Sequence, residues 1–213
     1  MIRLNRYYVQ NGNIARSIIP FRRCYHFNLL NLKIGYTNSV ALHPNSEKLY
    51  ISQIQVSKNA SDNQGEPITK QVCSGLQGII PIAEFKNQLV VIVDNMKKRK
   101  LRGEISEAMI LCGEDLASNV VQLCQPQTTG DMRLIGHQVV LEGYKQEDTI
   151  TTRRIKDKEW ADITSRLFIG DGNKVMYREE DTNDVKALLV IGNSPEDLIP
   201  LIVRSLPKGS QVR

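Results

Sequence analysis

QLVVIVDNMKKRKLRGEISEAMILCGED (88–115) is the stretch whose reading decides the fold. Its opening, QLVVIVDN, is a short apolar run closed by Asp-Asn, which predicts a buried strand. Its end, EISEAMILCGED (104–115), predicts the next strand. Between them five of the six positions 97–102 are basic: Lys97, Lys98, Arg99, Lys100 and Arg102. A Lys/Arg block by itself has three readings: a nuclear address, a nucleic-acid patch or a solvated loop. A nuclear address needs an extended, accessible segment, and a tight loop between two strands is not one. Five like charges repel each other when packed together, and a polyanion would neutralise them.

The same strand-and-turn pattern runs outward on both sides. LKIGYTNSVAL (32–42), KLYISQIQVS (48–57) and ITKQVCSGL (68–76) precede the stretch, and NVVQLCQP (119–126) and GHQVVLEGY (136–144) follow it. In KLYISQIQVS, Leu49 and Ile51 share one face while Ile54 and Val56 share the other, so a β-bulge near Ser52–Gln53 is expected. KNASDNQGEP (58–67) reads as a polar loop and GIIPIAEFKNQ (78–88) as a connector with one helical turn. Strands at this spacing predict a small closed barrel.

After residue 150 the pattern changes. TTRRIKDKEWADITSRLFIG reads as an amphipathic helix capped by Thr151 or Thr152, with Ile155, Trp160, Ile163 and Leu167 on one stripe. KVMYRE (174–179) and VKALLVIG (185–192) read as strands around an acidic turn. SPEDLIPLIVRSLPKG carries the clearest cap signal in the chain, with Ser194 as N-cap, Pro195 at N1 and Asp197 in the first turn. It predicts a helix over 194–206, kinked by Pro200.

The net charge of +5 is unevenly placed. Residues 1–46 hold six Lys/Arg and no acid, while residues 47–213 hold 22 Lys/Arg against 23 Asp/Glu. The segment 1–29, punctuated by Arg3, Arg6, Arg16, Arg22 and Arg23, reads as a mitochondrial presequence or a disordered basic arm, with a cytoplasmic location as the alternative. No apolar run approaches the roughly 20 residues of a membrane helix. Cys73, Cys112 and Cys124 sit in apolar strand contexts and read as buried, reduced thiols. His26, His43 and His137 are scattered, so no metal site is expected. No Ser/His/Asp set or phosphate-binding Gly motif appears, so no catalytic residues and no cofactor are assigned.

The ordered blocks 30–56 and 71–113 resemble the tRNA-binding OB domain shared by endothelial monocyte-activating polypeptide II, the fungal synthetase cofactor and appended domains of some methionyl- and tyrosyl-tRNA synthetases. The resemblance rests on Val72-Cys73-Ser74-Gly75-Leu76. It continues through Asn95-Met96-Lys97, Lys100-Leu101-Arg102-Gly103, Ser106, Ala108 and Met109. Lys98 stands where the family usually has Pro, and Asn45-Ser46-Glu47 replaces a more typical Asp-Ala-Asp. RRIKDKEWADITSRLFIGDGNKVMYRE (153–179) resembles the extra C-terminal subdomain of the endothelial-polypeptide branch, which mimics a dimer interface within one chain.

The resemblance implies a mainly β fold with some α: a five-stranded OB-fold barrel over 30–130, then a smaller α+β C-terminal subdomain over 131–213. It implies RNA binding by Ser74, Asn95, Lys97, Lys98, Lys100, Arg102, Ser106 and Met109. The Lys and Arg side chains would engage phosphates. Ser74, Asn95 and Ser106 would engage bases or the 2′-OH, and Met109 would give an apolar contact. Arg153, Arg154, Lys156 and Lys158 extend that track or form a solvated helix face. Tyr36 and Tyr50 read as core or strand-face residues. The implied partner is tRNA, with an aminoacyl-tRNA synthetase beside it, and the chain is expected to be monomeric. The alternative is a protein-interaction module, a synthetase scaffold or chaperone-like OB protein, that meets RNA incidentally.

Overall fold

The computed structural model describes residues 26–57, 67–128, 130–143, 152–194 and 196–213. The expectations for residues 1–25, Cys24 among them, for the polar loop at 58–66 and for a cap at Thr151 lie outside the described residues.

Five antiparallel strands form the first sheet: β1 (Leu32–Leu42), β2 (Tyr50–Gln55), β3 (Thr69–Ser74), β4 (Leu89–Val93) and a short strand at Met109–Ile110. Their order is β3-β2-β1-β4 and then the short strand. The one-turn helix α1 (Ile82–Phe85) lies between β3 and β4 and buries Phe85. Tyr50, Ile54, Val72, Val90, Ile92 and Ile110 fill the interior. Gly35 on β1 lets the walls approach: a Cβ there would lie 2.5 Å from Ile54 Cγ2.

The barrel closes between β3 and residues 106–107. Ser106 Oγ accepts from the Cys73 N–H at 3.0 Å and Glu107 Oε2 from the Gln71 N–H at 3.1 Å. The Glu107 N–H returns a bond to Gln71 O at 2.9 Å. Side-chain oxygens thus satisfy backbone donors that a missing strand would have met. This is the OB-type barrel that the sequence predicts.

The expected bulge is displaced. β2 alternates regularly, with Tyr50, Ser52 and Ile54 buried. The register shift lies in β1, between Thr37 and Ser39. Ser52 occupies an inward position because its hydroxyl donates to Val72 O at 3.0 Å, so a polar residue sits where the apolar pattern asked for a hydrophobe.

The segment 97–115 is more finely divided than one loop and one strand. β5 (Arg99–Leu101) and β6 (Glu104–Ser106) pair as a hairpin inside the basic block. β7 (Met109–Ile110) closes on β4, and β8 (Cys112–Asp115) leaves for a second sheet. That sheet also takes β9 (Val120–Leu123), β10 (Gln125–Pro126), β11 (Val139–Leu141) and β12 (Leu167–Ile169). β13 (Val175–Arg178), β14 (Val185–Ile191), β15 (Leu198–Ile202) and β16 (Gln211–Val212) complete it. Its order is β10-β15-β14-β13-β12-β16-β8-β9, with β11 also on β14.

The helix expected over 194–206 is a correction: the segment is β15. Pro200 would cost an α-helix a hydrogen bond and a clash with the preceding turn. In an antiparallel strand a residue's N–H and C=O face the same neighbour. The Pro200 carbonyl meets the Gln127 N–H at 2.8 Å, just beyond the end of β10, so its missing N–H breaks no rung to β14. The helix expected after 150 is present as α2 (Asp157–Thr164), capped at Lys156 rather than at Thr151 or Thr152. Glu159 supplies the acceptor for the Lys156 N–H at 2.9 Å.

Both sheets share one core. Leu32, Ile34, Leu89, Val91 and Val93, on the outer face of the barrel, pack with Ile163, Leu167, Tyr177, Leu188, Val190 and Val212 of the C-terminal part. Strand β4 is therefore buried on both faces: Leu89, Val91 and Val93 face the second sheet while Val90 and Ile92 face the barrel interior. This explains a continuous apolar run where a one-sided strand would alternate. Phe27 and Tyr177 meet at a tilt of 58° with ring centroids 5.2 Å apart, joining the entry of β1 to β13. Tyr50 is buried with its hydroxyl donating to Ile80 O, and Tyr36 packs against the shared core. Cys73, Cys112 and Cys124 are buried free thiols. Among the described residues no helix is long and apolar enough to cross a membrane.

Candidate nucleic-acid interface

The basic block projects from the barrel as the β5–β6 hairpin. Its two-residue turn, Arg102-Gly103, has φ of 50° and 111°, the positive angles that match the twist of a tight hairpin. A glycine suits the second position, and Arg102 tolerates the first at a cost of about 1–2 kcal/mol.

Several ties fix this hairpin. The buried His43 ring bonds Leu101 O through Nε2 at 3.1 Å and accepts from the Asn45 N–H through Nδ1 at 3.0 Å, which sets its tautomer. Asn45 Nδ2 donates to Arg102 O at 3.4 Å. Gln71 Nε2 donates to Ile105 O and to Glu104 Oε2. Ser106, beyond its bond to Cys73, donates to Ala108 O at 2.9 Å.

Two of the five cations have partners. Lys98 meets Glu107 at 2.5 Å, and Arg99 meets Asp157 on α2. The Lys98 ammonium, then the Gln71 N–H, hold the Glu107 carboxyl below its ordinary value. Lys97, Lys100 and Arg102 are exposed and make no ion pair among the described residues. This leaves three cations without an ion pair, Lys100 and Arg102 on a braced hairpin and Lys97 at its entry.

Asn95 extends the surface. It is 5% exposed, and its Oδ1 accepts from the Asn31 N–H at 3.0 Å. Its Nδ2 donates to Leu29 O and Arg153 O, each at 2.8 Å. Its own carbonyl accepts from the Ile155 N–H at 3.0 Å. The approach to α2 is thereby fastened beside the hairpin, with the Arg99–Asp157 pair as a second link. Arg154, Lys156 and Lys158 on this segment are exposed. Arg153 instead makes two bonds to Glu159, at 2.8 and 3.0 Å, and holds that carboxyl below its ordinary value.

The expected site residues thus separate by location. Lys100 and Arg102 lie on the hairpin, and Lys97 and Lys98 lie immediately before it. Asn95 and Ser106 are turned inward, and their hydrogen-bonding atoms are occupied by the fold. Met109 is half-buried, opposite Val93, against the shared core. Ser74 ends β3; its Oγ is shielded and without a partner among the described residues, as is Gln77 Oε1 in the following turn.

Three features were not singled out from sequence. His43 and Asn45 brace the hairpin, and the His-Pro block held that signal. Lys33 and Lys70 converge on Asp94 at the end of β4. They lie 61 and 24 residues from it in the chain, so only the fold brings them together. Burial opposes ionisation of Asp94, yet the hydrogen bonds and charges of Lys70 and Lys33 outweigh it and lower its pKa. Ile105 is 52% exposed in the middle of the cationic hairpin. Once Ser106 is known to face inward, strand alternation points Ile105 outward.

Residues 32–132 match the family described as "Putative tRNA binding domain". The tRNA-aminoacylation cofactor arc1 of Schizosaccharomyces pombe is 28% identical over 153 residues, covering 72% of this chain and 32% of that protein. Cytoplasmic tyrosine–tRNA ligase of Gallus gallus is 26% identical over 165 residues, covering 78% of this chain and 28% of the ligase. Aminoacyl tRNA synthase complex-interacting multifunctional protein 1 of Mus musculus is 34% identical over 83 residues, covering 39% and 24%. The chain therefore spans a third or less of these relatives. The fold is that of the C-terminal domain of Plasmodium vivax p43, with a TM-score of 0.68 over 89% of this chain and 99% of that one at 22% identity. Within this chain it is the barrel, over residues 32–132, that is similar to this family.

Proposed function

We propose that the chain binds tRNA without catalysing a reaction on it, as a cofactor that delivers tRNA to an aminoacyl-tRNA synthetase or retains it there. The observation carrying this reading is the set of cations without an ion pair, Lys97 at the entry of a braced hairpin and Lys100 and Arg102 on it, continued by Arg154, Lys156 and Lys158 across the Asn95 and Asp157 links. Such an arrangement engages phosphates by position and charge, so it recognises shape and backbone more than base sequence. Tethering raises the local tRNA concentration at the enzyme without any new contact. The relatives named as an aminoacylation cofactor, a tRNA ligase and a synthase complex-interacting protein support the synthetase partnership.

Electrophoretic shift titrations with tRNA across salt concentrations test this. Replacing Lys97, Lys100 and Arg102 by Ala lowers the log–log salt slope by about 2–3, at roughly 0.7–0.9 for each phosphate no longer neutralised. An unchanged slope and affinity would place binding elsewhere and favour a protein-interaction module.

The monomeric state is part of the same proposal, supported by the second sheet covering the outer face of β1 and β4. A dimeric mass by light scattering would contradict it. Of the segment 1–29, Phe27–Leu29 belong to the fold, with Phe27 in the core and Leu29 O held by Asn95, and the acid-free, Arg-punctuated part before them supports a mitochondrial destination. N-terminal sequencing of the native protein tests it, and an intact Met1 refutes import with cleavage.

A further inference from the structure

We propose that Ile105, with its cross-strand neighbour Lys100, forms a seat for one unpaired nucleotide, so that this surface selects RNA presenting a single-stranded base over plain duplex. The inference rests on the tRNA-binding reading and adds a feature of the ligand to it.

The register of the hairpin carries the inference. Arg99 pairs with Ser106 and Leu101 with Glu104, while Lys100 pairs with Ile105. Cross-strand partners share a face. Ser106 is 5% exposed and Glu104 is bonded to Gln71, so that face is turned to the barrel. Lys100 and Ile105 therefore occupy the face turned away from it. A lone exposed hydrophobe is ordinary. Ile105 differs in its support and its neighbours. Its carbonyl accepts from Gln71 Nε2 at 3.0 Å, and the next residue is locked by Ser106 Oγ on Cys73. Its β-branched side chain has few rotamers to lose. Exposed Lys100 is its cross-strand partner, and exposed Arg102 follows in the turn of the same hairpin.

A-form duplex presents phosphates and 2′-hydroxyls to a protein surface, and its base faces are stacked away. A rigid apolar side chain among cations finds no partner there. An unpaired nucleotide offers both complements: a flat apolar base face for Ile105 and a phosphate for Lys100. Met109, the apolar contact expected from sequence, packs against the core and leaves this role open to Ile105.

The test compares two RNAs of equal phosphate number, a stem-loop and a blunt duplex, on the full chain and on Ile105→Thr. Threonine keeps the β-branch and strand preference while removing apolar surface. The wild type is expected to prefer the stem-loop by about fivefold, the foot of the range for bases stacked on aromatic side chains, because isoleucine packs against a base without stacking on it. Ile105→Thr is expected to bring the stem-loop down to duplex affinity with an unchanged salt slope. A 2-aminopurine in the loop should brighten on binding the wild type, as the base leaves its stack, and not on binding Ile105→Thr. Equal wild-type affinities for the two RNAs, or a preference that survives Ile105→Thr, overturn the nucleotide seat alone. A tRNA is titrated beside them, and failure to bind it overturns the tRNA reading as well.

Discussion

Replacing Asn95 by Ala removes three hydrogen bonds at one buried point: from the Asn31 N–H, to Leu29 O and to Arg153 O. At about 1 kcal/mol net per bond, the loss is about 3 kcal/mol. Groups left buried without water would raise it towards about 5 kcal/mol. In a protein of this size a loss of about 3 kcal/mol lowers Tm by roughly 6–12 °C. The three partners belong to the entry of β1 and the approach to α2, so the variant also frees the segment bearing Arg154, Lys156 and Lys158. Urea and thermal melts read the stability, and a tRNA shift titration reads the affinity. Both are expected to fall, with part of the salt slope lost. A variant that melts like the wild type yet binds tRNA weakly would refute the reasoning, because Asn95 would then be meeting RNA directly.

The acid limb of stability should depend on Asp94, Glu107 and Glu159, whose pKa values are lowered from 3.8, 4.5 and 4.5. Their contribution is complete above those ordinary values and is lost as pH falls through the lower folded ones. Tm should therefore drop below about pH 4.5, less steeply in Asp94→Asn; an identical acid limb in that variant would count against the Lys33–Asp94–Lys70 cluster. Burial, with Glu114 beside it, pushes the Cys112 thiol up to about 12, and burial next to Cys112 pushes Cys124 well above 9.0. In a Cys24→Ser background, a thiol reagent at pH 8 should label neither until denaturant is added, and rapid native labelling would contradict the burial. Gly35→Ala should cost about 1–3 kcal/mol by overpacking against Ile54. A wild-type urea midpoint would show that the barrel wall can shift at no cost.

Where periodicity had one meaning, the sequence was legible. The apolar run of β4 and the stripe Ile155–Trp160–Ile163 each led to the element observed. It was less legible where a local signal had two outcomes. Ser194, Pro195 and Asp197 look like a helix cap, but the segment they introduce has partners on two sides, β10 and β14, that only the fold supplies. Ser52 hid the alternation of β2 because a hydroxyl satisfied by Val72 O is as admissible inside as a methyl group. The candidate site divides in the same way. The cations could be located from the Lys/Arg block alone. The inward direction of Asn95 and Ser106 could not, because it depends on backbone groups distant in the chain: Leu29 O and Arg153 O, 66 and 58 residues away, for Asn95, and the Cys73 N–H, 33 residues away, for Ser106.

Strand β4 is shared between the barrel interior and the second sheet, and this has a consequence for how the chain comes apart. Loss of the C-terminal part would bare Leu32, Ile34, Leu89, Val91 and Val93 together, a contiguous apolar face that water disfavours by about 1.5–3 kcal/mol per side chain. The barrel and the C-terminal part should therefore melt in one cooperative transition. A shortened chain would remain folded only by finding another cover for that face, and a second copy of itself is the cover nearest to hand.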